Sequence, residues 1–333
     1  NPPPHNLRKT RLLVSLVYIH IISADSTVAF KANKELMEVA TTGDYSYAKA
    51  WSIYLQGLIS FYGGEFEGAV HDLSQTLADR YKYVLHTRAA VDSMAGLAVA
   101  HQFMGQPDRA DAAIESLFKF AGELHDPAFS AIAASCRARL LVIQGRIEEA
   151  VNMLPANEIP GVENTFVWLE VPAITHCRVL IAEGSDAGLA QAEKRLQESL
   201  EMNRDNHNTR AIIEILSLLS LVCKGQGKDA EALSMLKRSL DLARPGEWIQ
   251  PFIEPGPPMA DLLNRLEKKD ADDFTGKILT ALNESQSQVS TADVPPGHKI
   301  PHLQPLVEPL TNRELDILEL LVERLQTKEI EHG

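Results

Sequence analysis

The chain has 333 residues, room for two average domains or one long repeat array, and carries a net charge of −13. Hydrophobic residues make up 45% and charged residues 23%, which excludes wholesale disorder. The acidic balance argues against broad nucleic-acid binding, which needs a basic face to displace counterions from phosphates.

The opening NPPPHN lacks methionine, and Asn1 reads as the start of a fragment whose N-terminal part is missing. Residues 12–22, LLVSLVYIHII, form the longest apolar run. It is shorter than the roughly 20 residues that span a bilayer, so a buried first helix is expected and no membrane partner. Residues 27–40 supply a second helix to pair with it.

From there the chain repeats itself. Apolar helical stripes at 51–62, 91–104, 132–143, 174–182 and 212–222 are each followed by a glycine. Four of these glycines open GEFEGA at 64–69, GQPDRA at 105–110, GRIEEA at 145–150 and GKDAEA at 227–232. A hydrophobe follows each closing alanine by four positions: Leu73, Ile114, Leu154 and Leu236. A looser copy runs from Gly184 through Ala192 to Leu196.

The spacing has a physical reading. Glycine ends one helix in the left-handed cap conformation. Alanine lets the next helix cross closely, and leucine one turn later buries the seam. About six helical hairpins result, none able to bury its apolar face alone, so they stack. Only VWLEV at 167–171 is ambiguous between strand and helix. The pattern over roughly residues 8–245 resembles the tetratricopeptide family, with longer helices than its usual repeat of about 34 residues. The fold expected is an all-α, tetratricopeptide-like superhelix of about six helix pairs. A HEAT-like array is the alternative, and the small crossing residues favour the first.

After residue 245 the composition changes. Residues 246–284 hold a Pro/Gly-interrupted start, then helices from about Met259 and near 273–282. Trp248 and Phe252 read as anchors that dock this segment onto the last hairpin. Residues 285–309 have linker composition. In PLTNRELDILELLVERLQTKEI at 309–330, Thr311 and Glu314 make a capping box ahead of an apolar stripe.

Those last residues resemble the LuxR-type helix-turn-helix, whose signature runs close to LTxRExxVLxLLAxGLxNKEIA. Leu310, Thr311, Arg313, Glu314, Leu318, Leu321, Leu325, Lys328, Glu329 and Ile330 match it, while Glu331, His332 and Gly333 depart from it. The stretch PGEWIQPFIEPGPPMADLLNRL is similar to the segment joining repeats to DNA-binding domain in MalT-like LuxR regulators. The resemblance implies a helical-repeat sensor at 1–245, a post-repeat helical segment at 246–284, a linker at 285–309 and a truncated helix-turn-helix at 310–333. It implies a cytoplasmic transcription regulator in which ATP binds only a missing N-terminal module, so that no cofactor belongs to this chain. DNA would be met only through the helix-turn-helix, incomplete here.

No catalytic arrangement is expected. GxxxxGK[ST], HExxH and GxSxG are absent, and GQGKDA around Lys228 reads as a helix–helix turn. Glu148–Glu149 and Asp272–Asp273 read as solvated surface. Cys136, Cys177 and Cys223 are widely spaced and read as small buried hydrophobes of a protein in a reducing compartment. In the resembled fold the first helix of each pair lines the concave face, which points to a ligand groove of Trp51, Tyr54, Asp92, Arg139, Arg178 and Glu214. These side chains could stack on and hydrogen-bond a polar ligand. The occupant expected is a small inducer or a regulatory protein, with a plain peptide-binding scaffold as the alternative. A closed pocket would favour the small ligand and an open channel the peptide. Replacing Arg139 or Arg178 is expected to weaken ligand binding while barely changing the melting temperature.

Overall fold

The computed structural model describes residues 4–78, 87–153, 168–268 and 272–292, with side chains between 8 and 284 of these ranges. The helix-turn-helix stretch at 310–333, linker residues 293–309 and the seam residue Leu154 lie outside the described residues.

Among the described residues, twelve helices form six antiparallel pairs. They are α1 (Pro4–Ile22) with α2 (Ser26–Thr42), α3 (Ser46–Tyr62) with α4 (Phe66–Thr76), and α5 (Thr87–Phe103) with α6 (Pro107–Leu124). Then follow α7 (Pro127–Ile143) with α8 (Ile147–Met153), α9 (Pro172–Glu183) with α10 (Asp186–Asp205), and α11 (Thr209–Gly225) with α12 (Asp229–Ala243). A 3₁₀ turn at Arg244–Gly246 leads to α13 (Gln250–Ile253), α14 (Pro257–Glu267) and α15 (Asp273–Ala292). No strand occurs among the described residues, and 168–171 is irregular backbone. The fold is an all-α, tetratricopeptide-like superhelix. No described helix is long and apolar enough to cross a membrane.

The hairpin turns form as the glycine spacing predicts. Gly64, Gly105, Gly145 and Gly227 all have φ between +66° and +80°. The next residue's N–H donates to the carbonyl five positions back, as in Glu65 to Ser60 and Arg146 to Leu141, both 2.9 Å. These bonds satisfy carbonyls that a helix end leaves open. At Gly184 the glycine N–H instead reaches Leu180, and Ser185 caps the next helix by accepting from the Gly188 N–H at 3.1 Å. This different cap accounts for the looser spacing of that copy. GQGKDA is the α11–α12 turn. Where no glycine stands, Ala24, Asp44, His125 and His207 take the left-handed conformation themselves.

The crossing alanines Ala69, Ala110, Ala150, Ala192 and Ala232 are all fully buried, as are Leu73, Ile114, Leu196 and Leu236. A bulkier residue at a crossing would force the helices apart.

The post-repeat segment joins the same core. Trp248, Phe252, Met259, Leu262 and Ile278 belong to the cluster that contains Leu58, Leu196 and Leu236. Pro251 O accepts from the Ser217 hydroxyl of α11, so the last hairpin does hold this segment. It reaches farther than expected, however. The Trp248 ring lies 4.7 Å from that of Tyr62 in α3, and the Ile249 N–H donates to Tyr62 O at 3.1 Å. The segment thus bridges the second and sixth pairs, and α1 also packs against α11. Helix α15 continues to Ala292, into the stretch with linker composition.

Candidate functional site

The first helices of the pairs bring their polar residues to one place, inside the superhelix. Two segments enter there, the irregular residues 168–171 from between α8 and α9 and residues 248–254, which contain the short α13, from beyond α12. Gly96 of α5 makes room for the first, because a Cβ there would stand 2.4 Å from Leu169 Cδ1.

Asp92 of α5 is fully buried and anchors that segment. Its carboxylate accepts the Leu169 N–H at 2.9 Å and the Glu170 N–H at 3.1 Å. It also accepts the Tyr54 hydroxyl at 2.9 Å and Arg88 Nη1 at 3.1 Å. Arg88 in turn donates to Glu170 O and lies over the Trp168 ring. The Glu170 carboxylate accepts from Ser135, Thr175 and Arg139.

Arg139 of α7 links the two entering segments. It donates to Leu169 O and Glu170 on one side. On the other it forms a fork with Glu254, Nε to Oε1 at 2.7 Å and Nη2 to Oε2 at 2.6 Å. Arg178 of α9 reaches Glu254 through Nε at 2.9 Å and pairs with Glu214 of α11. Arg210 donates to the Tyr62 hydroxyl at 2.6 Å and to Glu214. Arg88, Arg139, Arg178 and Arg210 thereby face Asp92, Glu170, Glu214 and Glu254, and their formal charges cancel.

Burial sets the electrostatics. Desolvation alone would raise the Glu254 carboxyl, but the charges of Arg139 and Arg178, with hydrogen bonds from Arg139 and Gln250, outweigh it and bring it down to about 2. Burial, then the neighbouring Asp92, pushes the Tyr54 phenol well above its usual range and keeps it a donor. Burial likewise raises Cys136 and takes Cys177 to about 12, so both stay unreactive thiols. Cys136, Cys177 and Cys223 are free and buried. Asp272 pairs with Arg244 and Glu149 with Arg146 at the surface.

Five of the six groove residues read from the sequence, Tyr54, Asp92, Arg139, Arg178 and Glu214, therefore belong to one network. Trp51 stays at its edge, half-buried, with its ring edge-on to Tyr47 and Tyr54. The partners of these residues are largely the chain's own segments. The expectation that Arg139 can be replaced with little change in melting temperature is corrected by its burial, since its removal leaves the Glu170 carboxylate without its paired cation and Glu254 with Arg178 alone.

Sequence reasoning missed Arg88, Arg210, Tyr62, Glu170 and Glu254. A signal existed for the first two: RAAVD at 88–92 and RAIIE at 210–214 place Arg and carboxylate one helical turn apart at the start of a first helix. Glu170 and Glu254 lie in or beside irregular backbone, where periodicity carries no information.

Beside the network is a cavity of about 330 Å³. It is lined by Val142, Ile181, Leu218 and Leu221 of the first helices, by the charged Arg178, Glu254 and Lys224, and by Pro255 and Pro258. Lys224 Nζ lies 3.0 Å from Pro258 O and 2.8 Å from Asp261.

A family model described as MalT-like TPR region matches residues 13–269. The matched stretch covers the six helix pairs from within α1 and runs on through α14. No curated protein matches the chain.

Proposed function

Because the chain belongs to the MalT-like TPR region family, we propose that it is the signal-receiving part of a LuxR-type, ATP-dependent transcription regulator. It binds a small inducer or a regulatory protein and relays the event to ATP-binding and DNA-binding modules. It performs no reaction of its own and acts in the cytoplasm. DNA is met through the helix-turn-helix that the residues at 310–330 resemble.

One observation carries this reading. The segment that precedes the helix-turn-helix stretch is held inside the superhelix, where Glu254 is gripped by arginines from α7 and α9 and Trp248 by α3. Anything that alters how the pairs stack acts on that segment directly. A repeat array otherwise couples only neighbours, whereas this contact ties the second pair to the chain's C-terminal side. A ligand moves such an equilibrium only through its differential affinity for two arrangements. The interior is filled by the chain's own segments beside a half-open cavity of about 330 Å³, whose small size favours a small ligand over an extended peptide.

Calorimetry and thermal-shift screening of the purified chain against metabolites tests the proposal, followed by hydrogen exchange with and without the best binder. Saturable binding with altered protection at Gln250–Ile253 is the expected result. Binding of peptides alone, with exchange in that segment unchanged, would replace the sensor by a scaffold.

A further inference from the structure

We infer that the cavity between α7, α9, α11 and the Pro255–Pro258 turn is a binding site for a small organic acid with an apolar body. The inference rests on the sensor reading above and narrows it to a site and a ligand class.

The argument is one of unfilled hydrogen-bonding capacity. A carboxylate offers about four acceptor positions. Glu254 accepts from Arg139 Nε on Oε1 and from Arg139 Nη2 and Gln250 Nε2 on Oε2, and Arg178 Nε lies 2.9 Å from Oε1 as an ion pair. Three of its positions are hydrogen-bonded and the fourth lies beside the Arg178 guanidinium, which leaves little for a ligand cation or hydroxyl. The donors are in a different position. Arg178 hydrogen-bonds Thr175 and Glu214 once each and pairs with Glu254 through Nε, which leaves guanidinium N–H groups over. Lys224, which also lines the cavity, bonds Pro258 O and pairs with Asp261, and its ammonium has a third N–H. The polar demand of the site is therefore for an acceptor, met best by an anion between these two cations.

The rest of the wall is aliphatic side chains and proline rings. A polyol would leave hydroxyl donors facing that wall without partners, at the cost of burying unpaired polar groups. A cationic ligand would meet Arg178 and Lys224. The volume of about 330 Å³ sits at the small end of the range for small-molecule pockets. An aliphatic or aryl carboxylic acid satisfies all three conditions. It would touch first helices on one side and the post-repeat turn on the other, and so would fasten the two together.

The test uses the full chain with 4-phenylbutyrate and octanoate as probes, their uncharged amides as controls, and calorimetry as readout. At least one acid should bind saturably, and its amide should bind at least about tenfold more weakly. Ile181→Trp fills the cavity from a partly exposed position and should abolish binding. Lys224→Gln should weaken it several-fold, both variants keeping the wild-type circular dichroism. No saturable binding of either acid at millimolar concentration, equal affinity for acid and amide, or wild-type affinity in a folded Ile181→Trp would each overturn the site. A screened metabolite that binds wild type and Ile181→Trp equally would overturn the cavity while leaving the sensor reading intact. Acid binding that leaves exchange at Gln250–Ile253 unchanged would keep the site and count against the relay.

Discussion

Where α6 crosses α5, the chain meets itself through Ala110 and Ile114, fully buried carbon surfaces close in sequence to the helix they pack on. On the inward side of the same α5, the buried group is Asp92, and its partners Leu169 and Glu170 come from beyond α8. The seams are apolar and join neighbours; the interior is ionic and joins residues as distant as Arg139 and Glu254. Hydrophobic burial is non-directional and rewards any close crossing. A buried ion pair offsets its desolvation only with good geometry and complete hydrogen bonding. The seams therefore build the array, and the network holds the two entering segments in one arrangement.

Glu254→Gln should separate the two most sharply. It keeps the side-chain shape but leaves Arg139 and Arg178 facing each other without their shared carboxylate. Urea unfolding should show a loss of about 3–5 kcal/mol, as for breaking a buried pair from one side. A loss no larger than that of a surface substitution would mean that the interior ions add little.

Acid should act through the same residue. With the Glu254 carboxyl at about 2 when folded, against an ordinary 4.5, its stabilisation is fully present above 4.5. It is lost as pH falls through that window towards 2, and is worth on the order of 3 kcal/mol. Melting temperatures between pH 6 and pH 2 should fall more steeply for wild type than for Glu254→Gln. Parallel curves would show that another group governs acid unfolding.

The seams should respond to volume. Ala110→Leu overpacks a crossing with no exposed side and should cost about 1–3 kcal/mol by denaturant midpoint, with no pH dependence. A pH-dependent cost would link the seam to the ionic interior.

The turns give the smallest effects, of opposite sign. A Cβ at Gly145 would meet nothing within 4 Å, so Gly145→Ala isolates the left-handed backbone penalty of about 1–2 kcal/mol. His125 is exposed and already left-handed. Its replacement by glycine should relieve strain and, after the added freedom of the unfolded chain, raise stability by less than about 1 kcal/mol. Equal losses at both positions would contradict this account of the turns.

The six helix pairs, their turns and the crossing alanines were legible because each depends on residues a few positions apart. A glycine at the turn, alanine five residues on and leucine one turn later impose local geometry wherever they occur. Five of the inward residues could also be placed, since the resembled fold lines its concave face with first helices and the repeat glycines fix the count along each. The sequence by itself could not say what they meet there. Glu170 and Glu254 come from irregular backbone with no period to read, and Trp248 shows an aromatic anchor without showing that Tyr62 is its seat. Which carboxylate answers which arginine depends on where the curvature of six stacked pairs brings distant segments, and that curvature is summed from every interface at once. Tertiary structure alone decided that the groove is filled by the chain's own segments, with Arg178, Glu254 and Lys224 left to line the cavity beside them.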